Sequence, residues 1–320
     1  MAFPCLYQAW RDVRRGKRRR PDVAAFELEQ DRYLVRLADQ LQDDHYRHGP
    51  YRLMTIQDPK PRLIARASVR DRVVHMACYR ALGPFFNRKL IDDTYACLPG
   101  RGSHRAVLRF REFQTRYPWL LHLDLRGYYA RIDHAILLDL LLPFLRDDRW
   151  APFLREILAS GAAFYRQPRV QQFFGLEGSH LSKEVPWGLP IGNLTSQWWG
   201  NFYLNGLDHF IKRDLGCQGY LRYMDDFVLF AEARSTLADW RNELRQWLWR
   251  ERGLQFHEER AHVRPSHQRH TFLGYRVHPS GIDLGKKAVR RFRKRGRRLR
   301  SMSQAQQNRS LVSTAGAWLF

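Results

Sequence analysis

Tyr220-Leu-Arg-Tyr-Met-Asp-Asp-Phe-Val-Leu-Phe230 places apolar and aromatic runs on either side of Met224-Asp225-Asp226. Aromatic and β-branched residues fill strands and Asp favours turns, so the stretch reads as a hairpin with two carboxylates at its tip. Upstream, Trp119–Leu125 reads as a short apolar strand with Asp124 near its end. Uncompensated carboxylates beside a core repel one another, and burial penalises their charge. Hard divalent cations with oxygen ligands remove that penalty. If the hairpin tip lies beside the strand carrying Asp124, three carboxylates converge. Two-metal phosphoryl transfer needs that arrangement, with ions about 3.5–4 Å apart. Taken singly, an Asp-Asp turn is ordinary turn chemistry and Asp124 equally suits a helix cap, so the combination carries the reading.

The charge balance agrees with a phosphate partner. The chain has 320 residues, with 55 Lys and Arg against 32 Asp and Glu and a net charge of +23. Such self-repulsion becomes affinity when a polyanion's phosphates are neutralised and counterions leave. Two clusters, 11–20 and 286–300, carry most of the excess. The longest apolar run, Ala135 to Leu145, is interrupted by Asp139 and too short to span a bilayer, and Met1-Ala-Phe-Pro-Cys5 has no signal-peptide core. Nucleic acid is therefore expected as partner, and no membrane. Cys5, Cys78, Cys97 and Cys217 include no C-x-x-C pair, which argues against a disulfide framework or zinc finger and fits a reducing cytoplasm.

Working outward, residues 23–47 show helical spacing (Phe26, Leu34, Leu37, Leu41) and stop at Gly49-Pro50. Tyr51–Ile56 and Arg62–Ala65 read as strands around a turn at Asp58-Pro59, and a helix over Asp71–Leu82 is limited by Pro84. Ser103 is a candidate cap for a helix through Phe113. Ile136–Leu145, Phe153–Leu158, Asn193–Leu215 and Leu237–Trp249 read as helices; 161–186 lacks periodicity and reads as irregular or short strands. Leu254–Phe256, Thr271–Val277 and Ile282–Leu284 read as strands before a very basic helix. Helices with mostly antiparallel strands imply an α+β fold.

Tyr223-Met-Asp-Asp226 resembles the active-site signature of reverse transcriptases, and Asp124-Leu-Arg-Gly-Tyr-Tyr129 resembles their first catalytic motif. Gly188-Leu-Pro-Ile-Gly-Asn-Leu-Thr-Ser-Gln197 stands where the family's intervening helix opens, Lys60-Pro-Arg62 resembles the fingers motif, and Phe272-Leu-Gly-Tyr275 the primer grip. The order and spacing match over roughly residues 50–280. The resemblance implies a right-hand polymerase: a basic arm and helix over 1–47, fingers and palm (antiparallel sheet plus helices) over 48–275, and a short helical thumb over 276–320. Most of the superfamily carries Gln where Ile191 stands. The Ile-Gly-x-x-x-Ser-Gln block is similar to the reverse transcriptases of diversity-generating retroelements, which copy a template RNA with frequent errors at adenines. A group II intron-like or phage-defence enzyme is the alternative, although no His-Asn-His or cysteine-rich endonuclease motif is present. A non-catalytic basic RNA-binding scaffold is a further one.

The resemblance implies roles. Asp124, Asp225 and Asp226 would hold two Mg²⁺ ions, with Mn²⁺ as a substitute, helped by the Leu125 carbonyl; Asp226 is the least secure direct ligand. Lys60 and Arg62 would contact the triphosphate of a dNTP, with Arg66 and Arg70 as lesser candidates. Tyr129 would be a steric gate against the ribose 2′-OH, and Ile191 and Gly192 would face the nucleotide. An aliphatic Ile191 lacks the amide that Gln would offer, so discrimination there should weaken. Arg260 falls where the family usually has Lys. Arg260, Gly274, Lys286, Lys287, Arg290, Arg291, Arg293 and Lys294 would follow template RNA and primer or cDNA. A small basic oligomeric accessory protein is the implied partner.

Overall fold

In the computed structural model, the structure describes residues 2–57, 61–145, 147, 149–175, 186–285, 289–290 and 293. The chain opens with three helices, α1 (Phe3–Arg14), α2 (Pro21–Leu28) and α3 (Gln30–Gln42), then strands β1 (Arg52–Gln57) and β2 (Pro61–Arg66) and helix α4 (Val69–Asn87). Helix α5 (Ser103–Arg116) leads into β3 (Trp119–Asp124), followed by α6 (His134–Leu141), α7 (Trp150–Tyr165), α8 (Pro168–Phe174), α9 (Leu194–Tyr203) and α10 (Asn205–His209). The hairpin β4 (Gly219–Tyr223) and β5 (Asp226–Ala231) precedes α11 (Arg234–Arg252). Four short strands close the described chain: β6 (Val263–Pro265), β7 (His270–Phe272), β8 (Tyr275–His278) and β9 (Gly281–Leu284).

These elements form two compact units interleaved along the sequence: residues 1–92, 124–216 and 242–258 make one, and 93–123, 217–241 and 259–320 the other. In the first, β1 and β2 pair antiparallel with Leu53 opposite Ala65, and Leu63 and Ala65 pack on Ala130, Phe164, Tyr165 and Val170. In the second, a four-stranded sheet has the order β4-β5-β3-β6, with β4–β5 and β3–β6 antiparallel, and a three-stranded antiparallel meander is formed by β7-β8-β9. The amphipathic α5 lays Phe110 and Phe113 on this unit's core. The Phe110 ring stacks on Phe272 at 5.0 Å and meets Phe230 edge-on at 5.3 Å. The α+β expectation, with antiparallel sheets and helices, is borne out.

Several boundaries depart from the sequence reading, each for a local reason. Helix α4 runs through Pro84 to Asn87, because Phe86 beyond the proline is buried on Phe202 at 4.6 Å and Trp198 at 5.3 Å. That burial outweighs the missing backbone hydrogen bond. The helix expected over 23–47 is broken at Glu29, which lets Phe26 pack on Trp10 and Tyr33. The long helix from Asn193 breaks at Leu204, where the Arg252 Nε donates to the Tyr203 carbonyl at 2.9 Å and interrupts the helical ladder. Residues 161–165 and 168–174 are helical rather than irregular: α7 continues through Tyr165, and α8 has Pro168 in its first turn and Gly175 at φ +61° closing it. Residues 176–185 lie outside the described ones. Thr271–Val277 is a hairpin rather than one strand, turning at Leu273 (φ +48°) and Gly274 (φ +88°). At 254–256 the expected strand reduces to one bridge, Phe256 opposite Leu125.

Phe110→Ala is expected to destabilise the protein by about 3–5 kcal/mol, because it opens a cavity among rings that hold their positions. Trp249→Ala, at a side chain 62% exposed, should stay within about 0.5 kcal/mol. Chemical unfolding of both variants checks this; a similar loss in the two would contradict the placement of the core.

Candidate active site

The β4–β5 pairing sets Tyr223 opposite Asp226, so Met224 and Asp225 alone make the turn. Met224 has φ +59°, a strained conformation for an unbranched but bulky residue and one that hairpin turns usually give to glycine. A buried guanidinium supports it. Arg222 is 0% exposed, and its Nη1 donates to the Met224 carbonyl at 3.0 Å. The Arg222 backbone is clamped in turn, its N–H donating to Asp93 O and its carbonyl accepting from Tyr95 N, each at 2.9 Å. The Arg109 Nε donates to the Asp93 carboxylate at 2.9 Å. The tip that carries Asp225 and Asp226 is therefore braced from inside the core.

Strand β3 lies next to β5 in the sheet order. Side chains alternate along a strand, so His122 and Asp124 share one face of β3, and both are half-buried while Leu121 and Leu123 are buried. The His122 Nε2 bonds to the Asp226 Oδ1, and its ring packs edge-on against Phe272 at 5.8 Å. At the end of β3 the Asp124 carbonyl accepts from His257 N at 3.0 Å, and Arg126 N donates to Gln255 O at 2.8 Å. These bonds flank the Leu125–Phe256 bridge, so the Leu125 carbonyl takes no part in them. Among the described residues, no group of three His, Cys, Asp or Glu side chains forms a metal-binding cluster. The donor chemistry suits a hard cation: every acid at issue offers carboxylate oxygens.

The first unit brings together other expected site residues. Ala65 N on β2 donates to the Ile191 carbonyl at 2.8 Å, and Leu189 N donates to the Tyr129 carbonyl at 2.8 Å. The turn Leu189–Gly192 is thus hung between β2 and the Tyr129 segment. Gly192 has φ +119°, and a Cβ there would lie 2.7 Å from Ile64 Cγ2 and 2.9 Å from the Ala65 carbonyl, so only glycine fits. Tyr129 is half-buried, and Gly200 on α9 leaves room for its ring: a Cβ at Gly200 would stand 3.2 Å from Tyr129 Cε1. Arg62 is exposed on β2; Lys60 lies outside the described residues. Arg66 is engaged by Asp22 at 2.6 Å and Arg70 by Asp71 at 2.9 Å.

Residues 56–277 match the family described as reverse transcriptase (RNA-dependent DNA polymerase), which is most of the chain. The chain belongs to the reverse transcriptase family. It is an RNA-directed DNA polymerase by that membership, of a family whose enzymes use divalent metal ions and an RNA template. Its relatives include Protein YkfC of Escherichia coli K12, 23% identical over 75% of this chain and 70% of YkfC. The group II intron-encoded protein LtrA of Lactococcus lactis subsp. cremoris is 23% identical over 56% of this chain but only 28% of its own length. A solved telomerase from Candida albicans, in complex with a fragment of telomeric RNA, aligns with TM-score 0.49 at 12% identity, covering 76% of this chain and 48% of that one.

In this reverse transcriptase, Arg260 is exposed with Glu259 at 4.0 Å, and Gly274 occupies the positive-φ turn of the β7–β8 hairpin. Arg290 and Arg293 are exposed; Lys286, Lys287, Arg291 and Lys294 lie outside the described residues. No described helix is long and apolar enough to cross a membrane.

Sequence reasoning missed a buried polar network in the first unit. Asp71 is fully buried, accepting from Tyr46 Oη at 2.9 Å and Ser68 Oγ at 2.6 Å, and from Gly49 N at 3.2 Å. Burial works against its charge; His48, Ser68 and Arg70 more than offset this and hold the carboxyl below its usual range. Beside it, His75 Nε2 meets His48 Nε2 at 3.0 Å, and His75 Nδ1 meets the Thr195 hydroxyl at 2.6 Å. Burial, then the neighbouring His48, pushes the His75 pKa down to about 3; burial also lowers His48. The one available signal was a His four residues after an Asp on a helix with little amphipathicity.

Both imidazoles are neutral in the fold, so the unfolded chain takes up protons first as pH falls. The stability they contribute is complete above pH 6.5, the ordinary histidine value, and declines from there toward about 3 for His75. We expect His75 alone to account for about 2 kcal/mol of lost stability between pH 7 and pH 5. Urea unfolding of the wild type and His75→Gln at the two pH values checks this; an identical pH dependence in both would contradict it.

Proposed function

We propose that this reverse transcriptase makes cDNA by two-metal nucleotidyl transfer, with Asp124, Asp225 and Asp226 as the carboxylates and the Leu125 carbonyl as an added ligand. The His122–Asp226 bond carries the reading. It ties β3 to the start of β5, two residues before Asp124 on the same face of β3. The same bond engages one oxygen of Asp226, the least secure of the three as a direct metal ligand. The chemistry supplied by a bound Mg²⁺ pair, or Mn²⁺ in its place, is Lewis-acid activation of the primer hydroxyl and stabilisation of the leaving pyrophosphate. The protein's own groups orient and exclude: Arg62, with Lys60, steadies the triphosphate, Tyr129 guards the sugar, and Ile191 and Gly192 line the nucleotide. In this reading 48–275 are fingers and palm, 276–320 are a short thumb whose basic residues follow the duplex with Arg260 and Gly274, and 1–47 form a basic arm and helix. Primer extension on poly-rA/oligo-dT with Mg²⁺ tests it: Asp225→Asn should lower the rate by at least about a thousandfold while template–primer binding persists. Retained extension would overturn the assignment.

We further propose that the enzyme is of the diversity-generating type, error-prone at template adenines for mutagenic retrohoming, with a small basic oligomeric accessory protein as partner. Ile191 supports this, because an aliphatic side chain there removes a polar check on the base. The likeness to LtrA favours a second reading, a group II intron-like enzyme without that specialisation. Misincorporation opposite template adenine separates them: Ile191→Gln should lower it by about tenfold, and an unchanged error spectrum would favour the second.

A further inference from the structure

We propose that Thr195, His75 and His48 form a positioning relay that holds the Leu189–Gly192 turn at the nucleotide. The inference rests on the reading above that Ile191 and Gly192 line the nucleotide. It adds three residues that lie behind that surface.

The chemistry of the chain of contacts sets its direction. The Gly49 carbonyl can only accept, and it lies 2.6 Å from His48 Nδ1, so His48 carries its proton there. A neutral His48 then accepts at Nε2, and His75 must donate from its own Nε2 across 3.0 Å. His75 Nδ1 is left as an acceptor, and the Thr195 hydroxyl donates to it across 2.6 Å. Each group therefore has one assigned role, and no net charge is needed. Asp71, Arg70, Glu156 and Tyr51 surround the outer end: Asp71 accepts from Gly49 N, Glu156 accepts from His48 N at 2.8 Å, and the Tyr51 ring lies 4.7 Å from that of His48.

The inner end reaches the turn. Thr195 lies in the first turn of α9, three residues after Gly192. Asn193, which stands at the cap position, makes no side-chain cap bond there. Thr195 supplies a side-chain anchor to the helix start, while Ala65 and Tyr129 hold the turn by backbone bonds. His75 and Thr195 are buried, 2% and 0% exposed, so neither reaches substrate. They act through the turn as positioning residues. A hydroxyl-free residue at 195 leaves His75 Nδ1 without its donor, and turning the His75 tautomer around would set two lone pairs against each other at the His48 contact and strand the Nδ1 hydrogen without an acceptor.

Steady-state extension with the full chain tests this. Thr195→Val should raise KM for dNTP by about tenfold, the scale of one buried hydrogen bond left unmade. kcat and template–primer affinity should stay within about twofold, since the chemistry and duplex contacts are untouched. Thr195→Ser, which keeps the hydroxyl, should return KM to the wild-type value. His48→Phe keeps a ring but no acceptor and should raise KM in the same direction, which decides the matter if Thr195→Val fails to fold. An unchanged KM in a folded Thr195→Val or His48→Phe overturns the relay, whatever happens to Tm. Ile191→Gln is the control for the underlying reading. If it alters nucleotide discrimination while the relay variants do not alter KM, only the relay falls; if none of them has an effect, the nucleotide assignment falls and takes the relay with it.

Discussion

Carboxylates at the tip of a hairpin with buried flanks must be held in place against their own repulsion and against desolvation, and much of the second unit answers that demand. The interior of the hairpin contains a cation: Arg222, fully buried, is spent on the Met224 carbonyl and so stiffens a turn whose first residue has a left-handed backbone. The flanking 93–95 segment clamps Arg222 by its main chain, and Arg109 anchors that segment through Asp93. His122 reaches from β3 to Asp226. A polar scaffold of this kind tolerates little slack, because each unpaired buried group would be penalised severely.

The first unit handles a different problem: a turn, Leu189–Gly192, that must approach a strand closely. Gly192 has no Cβ to collide with Ile64 and the Ala65 carbonyl, and backbone bonds from Ala65 and Leu189 fasten the turn on two sides. Behind it, neutral imidazoles do what a charged pair would do at much greater desolvation penalty. His75 and His48 link α4, α9 and the segment before β1 without requiring a counterion. Their neutrality is itself a product of burial, which ties the local geometry to pH through the protons that the unfolded chain accepts.

Legibility in the sequence followed range of interaction. The hairpin around Asp225 was readable because its strands alternate locally and its turn is two residues long. Element ends were misread wherever a distant side chain intervened: Phe86 carried α4 past Pro84, and Arg252 cut the helix at Tyr203. Leu273-Gly274 hid a turn inside a run of good strand formers, although the glycine was a usable sign. His122 and Thr195 had no local signature, and His75 and His48 had little, since the partners that define them lie more than twenty residues away.

The sequence by itself determined the acids, their order and spacing, the α+β class and the excess of positive charge, all of which follow from residue type, periodicity and short turns. Tertiary structure alone decided which histidine meets which carboxylate or imidazole, which tautomer each imidazole takes, and that Arg222 points inward. Those outcomes depend on burial and on partners brought in from remote segments, and no window of sequence contains both halves of such a pair.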